Sequence, residues 1–280
     1  MSLTRGTLIA MLVAVSLMYN FHADWEIVRL SDRQNVGFAQ MMSDAEHAGV
    51  IVVGETHDKK LHHQLQLEVI RDLKEKKKPI AIGLEMFQTA SQKQLDEWVA
   101  GKMTEEEFLR VYARNWSVDW QLYRDIFRFA RDNRIPMIAL NIPMELVSKV
   151  AHQGFSSLSA TDKKDLPPEV SCDLNTSYTE FLKRTYTDIA SHAMSERFFI
   201  YFCEAQSLRN NGMAYNVSRY LQSHPDTSVV VLTGILHAVK TGIPQRLSQY
   251  RDVTCRVILP ELPEFESQDA LLKEADYVVQ

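Results

Sequence analysis

The chain has 280 residues and a mass of 32.2 kDa, enough for one large domain or two small ones. With 45% hydrophobic and 24% charged residues it carries enough apolar surface to offset chain entropy, which excludes a disordered tail protein. The 31 basic against 36 acidic residues leave a net charge of −5, which argues against a nucleic-acid reader. The one dense basic run, Lys74 to Lys78, falls at the end of a predicted helix, where it complements the helix dipole.

In chain order, Arg5 precedes an apolar run from Leu8 to Met18. That length suits the core of a secretory signal and is short for a bilayer span. Residues 1–23 are therefore expected to be a signal peptide cut after Ala23, or an uncleaved N-terminal anchor, since Phe21 is a poor residue two places before the cut. A buried first helix is the less favoured reading. The protein is then exported, either periplasmic or membrane-associated through its N-terminus, and residues 24–280 form the folded domain.

Four apolar, β-branched runs follow: Val50 to Val53, Ile80 to Leu84, Ile135 to Leu140 and Ser228 to Leu232. None alternates strictly, so each is expected to be a strand buried on both faces. Between them, His62 to Lys76 is amphipathic, Ser91 to Ala100 ends at Gly101, Thr104 with Glu107 forms a capping box, and Asp119 caps a helix running to Asp132. Strands alternating with helices imply an α/β fold, a mainly parallel sheet with helices on both faces. Ser156 to Asn175 is a polar surface connection opening a helical insertion. The insertion is predicted as helices over Thr176 to His192 and Glu196 to Leu208, a break at Gly212, and a helix from Met213 to Leu221. A last strand is expected over Val253 to Leu259, and the acidic tail from Pro260 matches no element.

Each of the first four strands is followed at once by polar residues: Gly54-Glu55-Thr56-His57-Asp58, Glu85-Met86-Phe87, Asn141-Ile142-Pro143, and Thr233-Gly234-Ile235-Leu236-His237. In open parallel sheets the ligand site lies at the carboxyl ends of the strands. Glu55 and Asp58 could simply cap the next helix, and His57 and His237 could be satisfied structural histidines. Glu85 closes a buried strand, however, and needs a polar partner, for which His57 or His237 is the natural candidate. A shared site of Glu55, His57, Glu85 and His237 follows. It suits a metal-free acid/base cluster or, with His62 or His63 near the helix start, nitrogen and oxygen ligands for a divalent ion.

Cys172, Cys203 and Cys255 are far apart and odd in number, so they offer no disulfide framework and no paired zinc motif. The lack of Cys-x-x-Cys-His excludes covalent c-type haem attachment. Glycine-rich dinucleotide and phosphate-loop motifs, the Gly-x-Ser-x-Gly elbow and His-Glu-x-x-His are missing as well.

The strand-end segments resemble the ChaN-like haem-binding family of the Tiki and erythromycin-esterase-like superfamily. The first carries His62-His63 and Gln66 after it, and the second carries Gln94-Leu95-Asp96. The resemblance continues through Trp116, Trp120 and Tyr123, Asn141-Ile142-Pro143, Ala205-Gln206-Ser207-Leu208-Arg209 with Met213-Ala214, and Gly234 to His237 with Gly242-Ile243-Pro244 and Arg246-Leu247. It covers roughly Trp25 to Leu259. The chain departs from the family pattern at Asn210, where an acidic residue is usual, and at Leu236, where a small residue or Asn is usual.

The resemblance implies a bacterial envelope protein for iron or haem uptake. It would bind haem non-covalently in a pocket or at the seam of a homodimer, with a tyrosine on the iron. Tyr215 is the expected ligand, with Tyr201 and Tyr220 as rivals, and Asn141, Gln206 and Arg209 are the expected accompanying residues. The residues themselves leave a hydrolase open, in which Glu85 or Glu55 activates water, with or without a metal, while His57 and His237 orient it or stabilise charge.

Overall fold

In the computed structural model the described residues are 25–164, 166, 172, 176–189, 196–261 and 273–280, so the N-terminal targeting expectation lies outside them. In chain order they form β1 (Ile27–Arg29), β2 (Gln34–Val36), α1 (Phe38–Ala45), β3 (Val50–Glu55), α2 (Lys60–Glu75), β4 (Ile80–Gln88), α3 (Gln92–Val99), α4 (Glu105–Asn115) and α5 (Trp120–Asp132). There follow β5 (Met137–Asn141), α6 (Met144–Gln153), α7 (Ser177–Ile189), α8 (Glu196–Ser223), β6 (Ser228–Gly234), α9 (Ile235–Ala238), α10 (Ile243–Leu247), β7 (Cys255–Pro260) and β8 (Tyr277–Val279).

The strands make one sheet in the order β2-β1-β8-β7-β3-β6-β4-β5. Pairing is parallel from β8 through β5, and β1 alone runs against its neighbours. The α/β fold with a mainly parallel sheet and helices on both faces is as expected. Successive side chains of a strand point to opposite faces, and the two cores follow from that. Ile51, Val53, Ile82 and Leu84 pack with α1 to α5, burying Met41, Leu65, Leu95, Phe108 and Phe127. Val50, Val52, Ala81 and Leu140 pack with α7 to α10, burying Leu182, Met213, Val217 and Leu247. Both faces of each central strand are apolar, which is why no alternation shows in the sequence.

Local signals hold in detail at two helix starts. Thr104 accepts from Glu107 N while Glu107 accepts from Thr104 N, and Asp119 accepts from Gln121 N at 3.0 Å. Two expectations are corrected. Gly212 does not break a helix, because α8 runs unbroken from Glu196 to Ser223. A Cβ at Gly212 would stand 2.3 Å from Ile142 Cγ2, so the glycine lets α8 lie close against the end of β5. The cysteines do supply a bridge, Cys172 to Cys203, fastening the chain ahead of α7 to α8 and leaving Cys255 free. Among the described residues no helix is long and apolar enough to cross a membrane.

Candidate functional site

Neighbouring β3 and β6 run parallel, with Glu55 paired to Gly234 at their ends. The helix after β3, α2, packs on one face, and α9 and α10 after β6 pack on the other. Chains leaving adjacent strand ends in opposite directions open a crevice there, where ligands of open α/β sheets bind. β4 flanks β6 on its other side and delivers Glu85 next to Thr233. Glu55, Glu85 and His237 are buried, and His57 is half-buried.

Glu55 forms the first half of the site. Its carboxylate accepts from His57 Nδ1 (2.8 Å), His63 Nδ1 (3.1 Å), Gln66 Nε2 (2.8 Å) and the Tyr123 hydroxyl. Burial pushes this carboxyl up, but the bonds from His57 and His63 and their charges outweigh it and hold it down at about 2. His63 Nε2 faces only the His57 carbonyl, at 3.0 Å, and Nδ1 faces only Glu55 and Gln66 oxygens. Both ring nitrogens face acceptor oxygens, an arrangement that favours the imidazolium. Its pKa is raised accordingly: burial pulls it down and Glu55 more than compensates.

Glu85 forms the second half. It accepts from Arg209 Nη2, Thr233 Oγ1 and Gly234 N, each at 2.6 Å. Burial opposes its charge, and the Arg209 guanidinium first, with the Thr233 hydroxyl bond, holds the carboxyl far below the usual carboxylate range. His237 Nδ1 donates to Asn210 Oδ1 at 2.6 Å, Asn210 Nδ2 donates to the Tyr178 hydroxyl at 2.7 Å, and that hydroxyl donates to the Leu236 carbonyl. Burial first, and then Arg209, pulls His237 down to about 3. It is therefore neutral, and its Nε2, 3.6 Å from Glu85 Oε1, makes neither a hydrogen bond nor an ion pair.

The halves meet at His57. Its ring lies edge-on to Trp116, with centroids 4.9 Å apart, and its Nε2 stands 3.1 Å from where a Cβ on Gly234 would sit. That point is 3.6 Å from Glu85 Oε2, so only glycine leaves room there. With Nδ1 held by Glu55, Nε2 has no hydrogen-bond partner among the described residues. The side chain is 39% exposed. Burial lowers the His57 pKa, and the Glu55 bond and the Glu85 charge raise it further, so the net shift is upward. This is a proton-accepting edge oriented by a buried carboxylate.

The four strand-end residues thus converge, with roles different from those expected. Both carboxylates are saturated by donors and held acidic, which leaves His57 Nε2 as the open nitrogen of the cluster. Neither Glu55 nor Asp58 caps α2, whose N-cap is Lys59. Among the described residues no group of three or more side chains drawn from His, Cys, Asp and Glu is arranged to hold a metal ion, the set His57, His237, Glu55, Glu85 and His62 included. His62 instead accepts from Thr56 N through Nδ1, at 2.8 Å. Of the two histidines at the helix start, His63 is the one that joins the site. It shares the buried stripe of α2 with Gln66, Ile70 and Leu73, at three- and four-residue steps, and His62 lies off that stripe. Thr233 stands in the strand-end segment and Asn210 in a family motif, and Tyr178 carries no sequence signal.

The expected cofactor residues fall in different places. Asn141 and Arg209 belong to the Glu85 half, Asn141 Nδ2 donating to the Glu85 carbonyl at 2.9 Å. Gln206 makes no hydrogen bond to either half, and its Oε1 is buried without a partner among the described residues. Tyr215 lines a neighbouring cavity of about 530 Å3 at the ends of β4 and β5, walled by Ile142, Pro143, Leu146 and Leu166. Its ring is 39% exposed and its hydroxyl has no partner among the described residues. Tyr201, by contrast, accepts from Arg197 Nε at 2.8 Å, and Tyr220 stacks on His224. The cavity joins this apolar wall to a polar side of Thr89, Glu145, Thr161, Asp162, Asn216 and Arg219, so an amphipathic ring could lie against the wall with the Tyr215 oxygen free to meet a ferric centre.

The family model described as "Haem-binding uptake, Tiki superfamily, ChaN" matches residues 41–247. The chain belongs to this family. Its fold is similar to that of ChaN of Campylobacter jejuni, whose structure shows cofacial haem binding. The TM-score is 0.74 at 17% identity, over 92% of this chain and 97% of that one. The fold also resembles erythromycin esterase EreC in its open conformation, with a TM-score of 0.51 at 15% identity over 84% and 76%. A curated relative, Protein RETICULATA-RELATED 5, chloroplastic, of Arabidopsis thaliana, is 25% identical over 224 residues. The match takes in 72% of this ChaN-family chain and spans only 30% of that protein's length.

Proposed function

We propose that the protein binds ferric haem non-covalently and serves haem or iron uptake in the bacterial envelope. The observation that carries this reading is Tyr215, a phenol without a hydrogen-bond partner among the described residues, in a cavity with an apolar wall, in a chain of the haem-binding ChaN family. Tyr215 would hold the iron, and Ile142, Pro143 and Leu146 would cover the ring. Haem supplies a wide apolar face and a ferric centre that favours an anionic oxygen. The half-exposed Tyr215 and Met144 leave apolar surface for a second copy to cover, which favours a homodimer. Export is favoured by the disulfide, since such bonds persist in oxidising compartments, and by the apolar run after Arg5. Mass spectrometry of the mature N-terminus tests export, and recovery of full-length protein only from the cytosol would reject it. A saturable Soret change on adding ferric haem, with loaded protein sedimenting as a dimer, is the expected result for binding. A titration without saturable change would sink the proposal.

The open edge of His57 favours a second reading, hydrolysis by a general base. His57 Nε2 would take a proton from water in front of Gly234, Glu55 would hold the resulting imidazolium, and Arg209 would face developing negative charge. A panel of carboxylic esters, assayed with wild type and His57→Gln, tests it, and turnover equal in both would remove it.

A further inference from the structure

Gly212, Tyr215, Asn216 and Arg219 fall at steps of three, one and three along α8, so they share one helix face, and all four line the Tyr215 cavity. Their side chains differ in what they leave free. Gly212 supplies room, and the Asn216 amide donates to the Leu140 carbonyl at 2.9 Å. The Tyr215 hydroxyl and the Arg219 guanidinium remain. Arg219 lies over the Tyr215 ring, 5.9 Å from its centroid, and has no carboxylate partner among the described residues. It is the one cation among the described residues lining the cavity. Of the acids there, Asp162 is neutralised by Lys149 at 2.8 Å, and Glu145 sits in the first turn of α6, where the helix dipole favours it. A second cavity, of about 550 Å3, offers a contrast, because its charges are matched internally as Arg29 with Asp32, Arg256 with Asp44, and Lys240 with Asp276.

We propose that Arg219 is the carboxylate anchor of the Tyr215 cavity, so that the site selects an apolar ring carrying free carboxylates over the same ring without them. This rests on the haem reading and adds the determinant of specificity. The guanidinium itself lies over the phenol ring at the cavity wall, and its planar fork of donors is the shape that suits a carboxylate. One helix face then presents the iron-facing oxygen and, one turn on, the partner for a propionate.

The test uses three probes on the purified full chain: ferric haem, its dimethyl ester, and iron-free protoporphyrin IX followed by fluorescence. Arg219 is exposed, so Arg219→Met should fold, and Arg219→Lys keeps the charge. Wild type should prefer ferric haem to the ester by roughly tenfold or more. Arg219→Met should lose that preference, leave ester affinity unchanged and keep the phenolate spectrum, and Arg219→Lys should recover part of the preference. Equal affinity of wild type for acid and ester, or a preference that survives in Arg219→Met, overturns the anchor while haem binding stands. Arg219-dependent binding of protoporphyrin IX with no spectral response to ferric haem keeps the anchor and removes Tyr215 as iron ligand. Failure of wild type to bind any of the three overturns both.

Discussion

Arg209 Nη2 and Glu85 Oε1 stand 2.6 Å apart, joining the middle of α8 to the end of β4 across 124 residues of sequence. Both groups are nearly closed off from solvent, at 12% and 3% exposure. Removing one partner of such a pair leaves an uncompensated buried charge, which costs about 3–5 kcal/mol. Arg209→Met should lower the urea unfolding free energy by that amount, and adding Glu85→Gln should restore part of it. A loss below about 1 kcal/mol in the single variant would mean that the pair is solvated and not closing the site.

Acid should destabilise the protein in two windows. His237 is held down at about 3, so between its ordinary 6.5 and 3 the unfolded chain takes a proton that the folded chain refuses, and stability falls as pH falls through that range. Glu55, depressed from 4.5 to about 2, gives stability that is full above 4.5 and is lost as pH falls toward 2. His57 and His63, both raised, act oppositely: their contribution is full below 6.5 and fades as pH rises through their folded values. Urea midpoints from pH 8 to 2 should show the upper acid window vanish in His237→Gln. Asn210→Asp would place a carboxylate on His237 Nδ1 and raise that histidine, which NMR titration of the ring protons would register. An unmoved resonance would contradict the Asn210–His237 bond.

The Cys172–Cys203 bond closes a loop of 31 residues, for which chain entropy predicts about 3–4 kcal/mol. It also fixes the chain ahead of α7, and α7 brings Tyr178 to Asn210. Cys203→Ser should lower stability by this order and loosen the His237 resonance, and thiol titration of denatured, unreduced wild type should find one free cysteine. Three free thiols in that titration would contradict the bridge.

The strand ends are legible because each is followed by polar residues and because burial forbids an isolated carboxylate at Glu85, whereas Glu55 reads equally well as a helix cap. Their partners were harder to see. Arg209 and Asn210 lie on a helix more than a hundred residues away from either glutamate; the family resemblance marked both, but nothing in the sequence tied them to Glu85 or His237. Gly212 was misleading, because close helix packing and helix ending use the same residue. β1, β2 and β8 escaped because three-residue strands carry no periodicity and depend on pairing with one another. The disulfide escaped because Cys172 and Cys203 meet only through the packing of α7 on α8.

The central claim, haem held through Tyr215, is tested most directly by absorption titration of the purified protein and its Tyr215→Phe variant with ferric haem. The variant keeps the ring against Tyr250, 5.6 Å away between centroids, and removes only the oxygen. Wild type should saturate with a high-spin ferric spectrum of a phenolate ligand, and the variant should lose that signature at unchanged thermal stability. An identical spectrum in the variant would move the ligand elsewhere, and no saturable spectrum in wild type would contradict haem binding by this chain.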